Sequence, residues 1–306
     1  MLKRLLLSAA LLLIAVVAAL ARPGISPRKL ESQYGQPPSE FMELDGLRLH
    51  YRDEGSGAPL VLIHGTFSSL HTWDGWVEAL QDDHRLLRLD LPGHGLTGPR
   101  SDGDYRRQAD VELIADWLDE LGVERASLAG NSLGGAIAWR FALTYPDRVD
   151  KLILIDSAGL DTNNQGESPP VFRVLEIPLL RRAAALFTPR IFFEQSLRDV
   201  YAQDERLNEE LIDRYYLLLR RRGNRVALLD RLQAPRSQPP GEIGDIQAPV
   251  LIMWGEQDNW IPVEAAYQFQ EQLPNGELVI IDDAGHVPME ERPMLTAEIA
   301  AEFLMR

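Results

Sequence analysis

Leu128–Trp139 reads LAGNSLGGAIAW, with one serine, Ser132, held between Gly130 and Gly134 at the join of a short apolar run and an Ala-rich one. The preceding RASLAG has the character of a buried strand. The following LGGAIAWRFALTYP is apolar nearly all round and stops at Pro146, as expected of a helix buried against a sheet. Small residues at such a join have two possible reasons. A strand turning sharply into a helix needs backbone angles that glycine tolerates. A serine at the apex, in the pattern G-x-S-x-G, has its oxygen projected above the sheet as a nucleophile. The pattern alone does not separate packing from chemistry; the other strand ends must.

Working outward, EFMELDGLRLHYRDEG alternates, with Leu47, Leu49 and Tyr51 on one face and Arg48, His50 and Arg52 on the other, which is read as solvated. Asp45-Gly46 is a two-residue hairpin turn. Then come apolar runs without alternation, PLVLI, RLLRLD, RASLAG, KLILID, VLIMWG and LVIID, as in strands covered on both faces. Helical patterns separate them; Val111, Ile114, Leu118 and Leu121 recur at spacings of three and four before Gly122. Strand alternating with helix implies a parallel sheet with right-handed crossovers. Between Gly159 and about Ile246 the rhythm breaks into helix-like pieces closed by a Pro-rich run, read as a helical cap inserted between two strands.

The chain has 306 residues, no cysteine and a formal net charge of −15. Absence of cysteine excludes disulfides, a thiol nucleophile and zinc-thiolate sites. The five basic, uncompensated residues of the first 30 leave −20 on the rest, an acidic body that argues against nucleic acid as a partner. MLKRLLLSAALLLIAVVAALA has a basic start and an uncharged run from Leu5 to Ala21, which predicts a membrane anchor or a signal peptide and an extracytoplasmic catalytic domain, anchored or secreted after cleavage. RPGISPRKLESQYGQPPSE reads as a flexible Pro-rich leash.

Ends of parallel strands face the ligand crevice. Past PLVLI stand His64-Gly65-Thr66; past RLLRLD, LPGHG; past SLAG, Asn131-Ser132-Leu133; past VLIMWGEQ, Asp258; past LVIIDDAG, His286. Serine, acid and histidine thus share one sheet edge, in the order Ser…Asp…His. In that order and context, HGT, DLPGHGLT, GNSLGG, WGEQD and GHVPMEERP resemble the motifs of the α/β-hydrolase superfamily, from the hairpin near Glu43 to the last helix. The resemblance implies an α/β fold: a mostly parallel eight-stranded sheet with helices on both faces, a helical cap and an N-terminal hydrophobic segment. The expected division is 1–21 signal peptide or anchor, 22–40 linker, 41–159 and 246–306 core, and 160–245 cap.

A serine hydroxyl needs a base, for which His286 is the candidate, and the histidine needs an orienting acid, for which Asp258 is the candidate from the WGEQD match. Asp156 also follows a strand and is the alternative. The backbone N–H of Leu133 is one oxyanion donor; the resemblance places the other at Thr66. The implied activity is a serine hydrolase cleaving a carboxylic ester, lipophilic esters among the candidate substrates, through an acyl-enzyme. The alternatives are a carbon–carbon bond hydrolase of the same fold and a non-catalytic binding protein. GNSLGG is similar to the carbon–carbon group, whereas HGTFSSLHTW lacks its Gly-Pro-rich loop. Epoxide hydrolases and haloalkane dehalogenases carry an aspartate at the elbow, where this chain has Ser132. No cofactor is expected. No metal is expected either, because Asp283 and His286 lack further ligands to complete a site. His64 is read as supporting the oxyanion loop and His94 as shaping a turn. Phe192 and Phe193 are expected to line an acyl pocket, or else to form the cap's own core.

Overall fold

At Asp45-Gly46 both residues take positive φ, 49° and 75°, the backbone that a two-residue hairpin demands. The turn joins β1 (Ser39–Leu44) to β2 (Leu47–Gly55), antiparallel with Leu44 opposite Leu47. In this computed structural model, which describes residues 22–160, 177, 187–235, 239–273 and 275–306, the other strands are β3 (Ala58–Ile63), β4 (His84–Leu89), β5 (Ala126–Asn131), β6 (Val149–Ile155), β7 (Val250–Gly255) and β8 (Gly276–Ile281). They form one eight-stranded sheet in the order β1-β2-β4-β3-β5-β6-β7-β8, parallel from β4 to β8.

The sheet is covered on both faces. In chain order the helices are α1 (Pro27–Tyr34), α2 (Asp74–Leu80), α3 (Arg107–Glu120), α4 (Leu133–Thr144), α5 (Arg190–Arg198), α6 (Glu209–Leu219), α7 (Asn224–Gln233), α8 (Glu264–Gln272), α9 (Pro288–Glu291) and α10 (Pro293–Met305). One apolar cluster gathers Val111 and Trp117 of α3, Ile137 of α4 and Phe269 of α8. A second gathers Trp76 of α2, Phe303 of α10, and Leu197 and Ile212 from α5 and α6. The described residues between β6 and β7 carry helices and, at Arg221, a single β-bridge to Ile25.

The strand order reverses beside β3: the chain passes from β3 to β4 on one side, then crosses back to β5 on the other. Such a reversal opens a crevice at the carboxyl ends of the two strands. The register keeps the ends level, with Ile63 opposite Gly130, Asn131 opposite Ile155, Ile155 opposite Met253 and Gly255 opposite Ile281. Residues 64–66, 132, 156, 258 and 286 therefore stand along one edge.

Two expectations are corrected here. The stretch read as a leash is largely structured: Ser26 caps α1, Pro27 opens it, and Leu30 is fully buried against Leu96 and Leu218. Ile25 is stitched to the cap, its N–H donating to Arg220 O at 2.7 Å and its carbonyl accepting from Arg222 N at 2.9 Å. Proline and serine here are helix-start signals. His50, expected on a solvated face, is fully buried. Its Nδ1 lies 2.6 Å from Asp90 Oδ2 and its Nε2 2.9 Å from Ser39 Oγ. Asp90 is held by the Leu70 and Leu96 amides as well, so this pair ties the hairpin to the loops after β3 and β4. Burial pushes the Asp90 carboxyl up, but His50 foremost, together with His64 and His71, offsets it and holds it well below the usual range.

Candidate active site

Ser132 occupies the sharp turn from β5 into α4 with φ 53° and ψ −114°, a left-handed backbone rare for a residue with a side chain. Such strain costs on the order of 1–3 kcal/mol and persists only where the surroundings impose it. Here Ser132 N donates to Ile155 O, and Ser132 O accepts from Ala136 N and Ala158 N, each at 3.0 Å. The flanking glycines answer to backbone contact. A methyl on Gly130 would lie 2.3 Å from Gly134 O, and one on Gly134 2.0 Å from Ile63 O. The small residues thus serve the packing that makes the elbow possible.

His286, in the loop after β8, places Nδ1 2.7 Å from Asp258 Oδ2. The other oxygen of Asp258 accepts from Trp260 N at 2.7 Å and Ile261 N at 3.0 Å. Read from this network, Nδ1 carries the proton and Nε2 is left as a base. Asn131, next to the serine, donates from Nδ2 to His286 O at 2.9 Å and Ile155 O at 3.2 Å, tying the two loops together. A direct Ser132 Oγ–His286 Nε2 hydrogen bond is not formed among the described residues.

Asp156 follows β6 at φ 44° and is wholly buried. Its Oδ1 accepts from Gly255 N at 2.9 Å, and the His286–Asp258 hydrogen bond bypasses it. Burial first, then the neighbouring Asp258 charge, push its carboxyl well above the ordinary range. A carboxyl whose pKa is higher in the fold than in the unfolded chain binds a proton on folding. Its contribution is complete below the unfolded value near 3.8 and is lost as pH rises through the folded value. Asp156→Asn keeps the shape without the titration. Urea midpoints measured across neutral and alkaline pH are expected to fall less steeply for this variant than for the wild type. Parallel curves would mean that the carboxyl does not titrate differently in the fold.

The His64-Gly65-Thr66 loop packs beside the elbow: a methyl on Gly65 would meet Asn131 Oδ1 at 2.8 Å and Ser132 Cβ at 3.2 Å. His64 Nδ1 donates to Gly65 O at 2.7 Å and Nε2 accepts from Leu91 N at 3.0 Å; burial lowers its pKa, so it is a neutral brace. His94 stacks edge-on to it at 5.1 Å, with Nδ1 3.3 Å from Pro92 O in its turn. Leu133 opens α4, and first-turn amides have no acceptor within their own helix. The His64-Gly65-Thr66 loop and the start of α4 thus both adjoin Ser132 in the crevice between β3 and β5.

Sequence reasoning missed the aromatic side of this edge. The Trp260 ring lies 5.5 Å from that of His286 at an interplanar angle of 31°, and Phe67, at φ 66°, meets Trp260 edge-on at 6.2 Å. Their one signal was position, one residue beyond HGT and two beyond Asp258. Also missed was the attachment of the cap through GHVPMEERP. His286 N donates to Val200 O at 2.8 Å, and Glu291 accepts from Gly285 N at 2.6 Å, Ala202 N at 2.9 Å and Arg206 Nη1 at 3.1 Å. Glu290 accepts from Tyr215 Oη at 2.6 Å and Thr72 Oγ1 at 2.7 Å. Of the two phenylalanines expected in the pocket, Phe192 is exposed. Phe193 packs at 5.6 Å from Tyr216, inside the cap. Residues 171–176 and 178–186 of the same apolar stretch lie outside the described residues.

Asp156, Asp258 and His286 bring ligand-type atoms within 4.8 Å of one another. At 2.7 Å, however, Nδ1 and Oδ2 share a proton and leave no room for a cation between them.

Fold and elbow together define a hydrolase built on the α/β-hydrolase architecture. The chain belongs to the alpha/beta hydrolase fold family, whose profile matches residues 58–293. It is 31% identical over 274 residues to a 2-hydroxy-6-oxononadienedioate/2-hydroxy-6-oxononatrienedioate hydrolase of Burkholderia vietnamiensis, covering 85% of this chain and 92% of that one. A 2-hydroxymuconate semialdehyde hydrolase of a Pseudomonas strain is 28% identical, covering 85% and 91%. Among solved structures, that of a membrane phospholipase A superposes with a TM-score of 0.75 at 28% identity, covering 99% of this chain and 98% of the other.

The expectation of an anchored or secreted extracytoplasmic enzyme is corrected. Among the described residues no helix is long and apolar enough to cross a membrane, and residues 1–21, where the segment was expected, lie outside them. The first two relatives are matched over nine-tenths of their length by 85% of this chain. The supposed tether is folded onto the body through Ile25 and Leu30.

Proposed function

We propose that the protein hydrolyses carboxylic esters with an apolar acyl group through an acyl-enzyme on Ser132. The carrying observation is the strained Ser132 on the same edge as the His286–Asp258 pair. Ser132 Oγ attacks the ester carbonyl as His286 Nε2 takes its proton, and Asp258 stabilises the imidazolium. The developing oxyanion is received by the Thr66 and Leu133 amides. His286 returns the proton to the departing alcohol; a water activated by the same histidine then releases the acid. Trp260 and Phe67 offer an apolar wall suited to an acyl chain. The phospholipase likeness supports the ester reading.

The second reading, carbon–carbon bond hydrolysis, is favoured by the curated relatives. The dioate that the Burkholderia relative is named for carries two carboxylates and calls for a cation in the pocket. Among the described cap residues, Arg190, Arg198, Arg206, Arg214 and Arg231 are paired with carboxylates, whereas Arg220 and Arg225 are held by neutral oxygens of Pro23, Thr188 and Arg22 and are the cations such a substrate could call on. Chromogenic esters of graded acyl length, assayed beside a ring-cleavage dioate, separate the readings. Turnover of medium-chain esters with little on the dioate is expected; the reverse ranking would overturn the ester assignment.

A further inference from the structure

Asp258 and Asp156 stand side by side beneath His286, yet they are dressed differently. Asp258 receives three donors: Trp260 N and Ile261 N on Oδ1, and His286 Nδ1 on Oδ2. Asp156 receives one, Gly255 N on Oδ1. Its Oδ2 is buried and meets no N–H or O–H donor. An ionised oxygen orphaned in this way, beside a second carboxylate, would be strongly destabilising. The left-handed backbone at residue 156 is a further cost, and it holds the carboxyl at this place. A proton on Oδ2 removes the difficulty, because the orphaned acceptor becomes a donor at a place where carboxylate oxygens of Asp156 and Asp258 come within 4.8 Å of one another.

We propose that Asp156 is a positioning residue that stays protonated at working pH and donates a hydrogen bond from Oδ2 to the Asp258 carboxylate, fixing the acid that orients His286. The proposal rests on the reading of Asp258 and His286 as the working acid and base. Between two adjacent buried carboxyls one proton is retained, and it resides on the group with fewer donors. The rise of the Asp156 pKa under burial and the Asp258 charge agrees with this. The titratable groups facing Asp156 are Asp258, His286 and, from α9, Glu291, which is itself engaged by Arg206 and the Gly285 and Ala202 amides. The bond also tempers the negative charge that Asp258 presents to His286 Nδ1.

The test compares Asp156→Ala, Asp156→Asn and Asp258→Asn in the full chain on one chromogenic ester. Asp156→Ala is expected to lower kcat about tenfold with little change in KM, as for one lost hydrogen bond to a charged group. It is also expected to move the acid limb of the pH profile upward. Asp156→Asn, whose amide offers an N–H in place of the O–H, is expected to recover most of the rate and return the limb. In infrared difference spectra the C=O band of a neutral carboxylic acid, present at neutral pH in the wild type, is expected to vanish in Asp156→Asn, a readout independent of the alanine variant's folding. Equal losses in the two Asp156 variants, an unmoved acid limb in Asp156→Ala, or absence of that band would overturn the proposal. An active Asp258→Asn with an inactive Asp156→Asn would instead overturn the underlying choice of acid.

Discussion

Ser132→Ala is expected to lower kcat on esters by roughly 10⁴–10⁶, leaving the residual rate that oxyanion donors and binding provide without a nucleophile. The fold is expected to survive, because the contacts holding residue 132 at φ 53° are main-chain: to Ile155 O, and from Ala136 N and Ala158 N. Alanine makes the same bonds. An active-site-directed fluorophosphonate should label the wild type and leave the variant unlabelled, with matching thermal melts. Retention of more than a few per cent of activity in clean material would remove Ser132 from the mechanism. Failure of the wild type to react would favour a binding protein that keeps the fold.

Asp258→Asn is expected to be the next most damaging change, lowering kcat by about 10⁴. An amide nitrogen facing Nδ1 would favour the opposite imidazole tautomer, with the proton on Nε2 and no base toward Ser132. The Trp260 and Ile261 amides constrain the outcome: they hold Oδ1 at 2.7 and 3.0 Å, so the asparagine oxygen is drawn to them and its NH₂ group is turned to His286. Steady-state kinetics from acid to alkaline pH provide the check. Loss confined to kcat fits misorientation of the histidine; a rise in KM with kcat unchanged would assign Asp258 to substrate binding.

The elbow was readable from local sequence because its glycines answer to local geometry. Gly130 and Gly134 are each close to backbone atoms that a methyl group would strike, so the need for small residues around Ser132 follows from a strand turning into a helix. The hairpin at Asp45-Gly46 and the parallel strands were readable for the same reason: turn chemistry and unbroken apolar runs are properties of a few neighbouring residues. With strand order came the placing of Ser132, Asp258 and His286 on one edge.

Properties set by distant partners were not readable. His50 lies on the polar side of an alternating strand, yet it is buried because Asp90, forty residues on, comes up against it. Residues 27–34 looked like part of a leash because Leu96 and Leu218, which bury Leu30, are far away in the chain. The choice between two acids each following a strand depended on which carboxyl meets His286 Nδ1 and how many amides surround the other. Loop backbones after β7 and β8 supply those donors only in the folded chain. Residue type and order determined which groups reach the sheet edge. Tertiary contact decided which are charged, which are neutral and what they face, because solvation and hydrogen-bond count are properties of the assembled site.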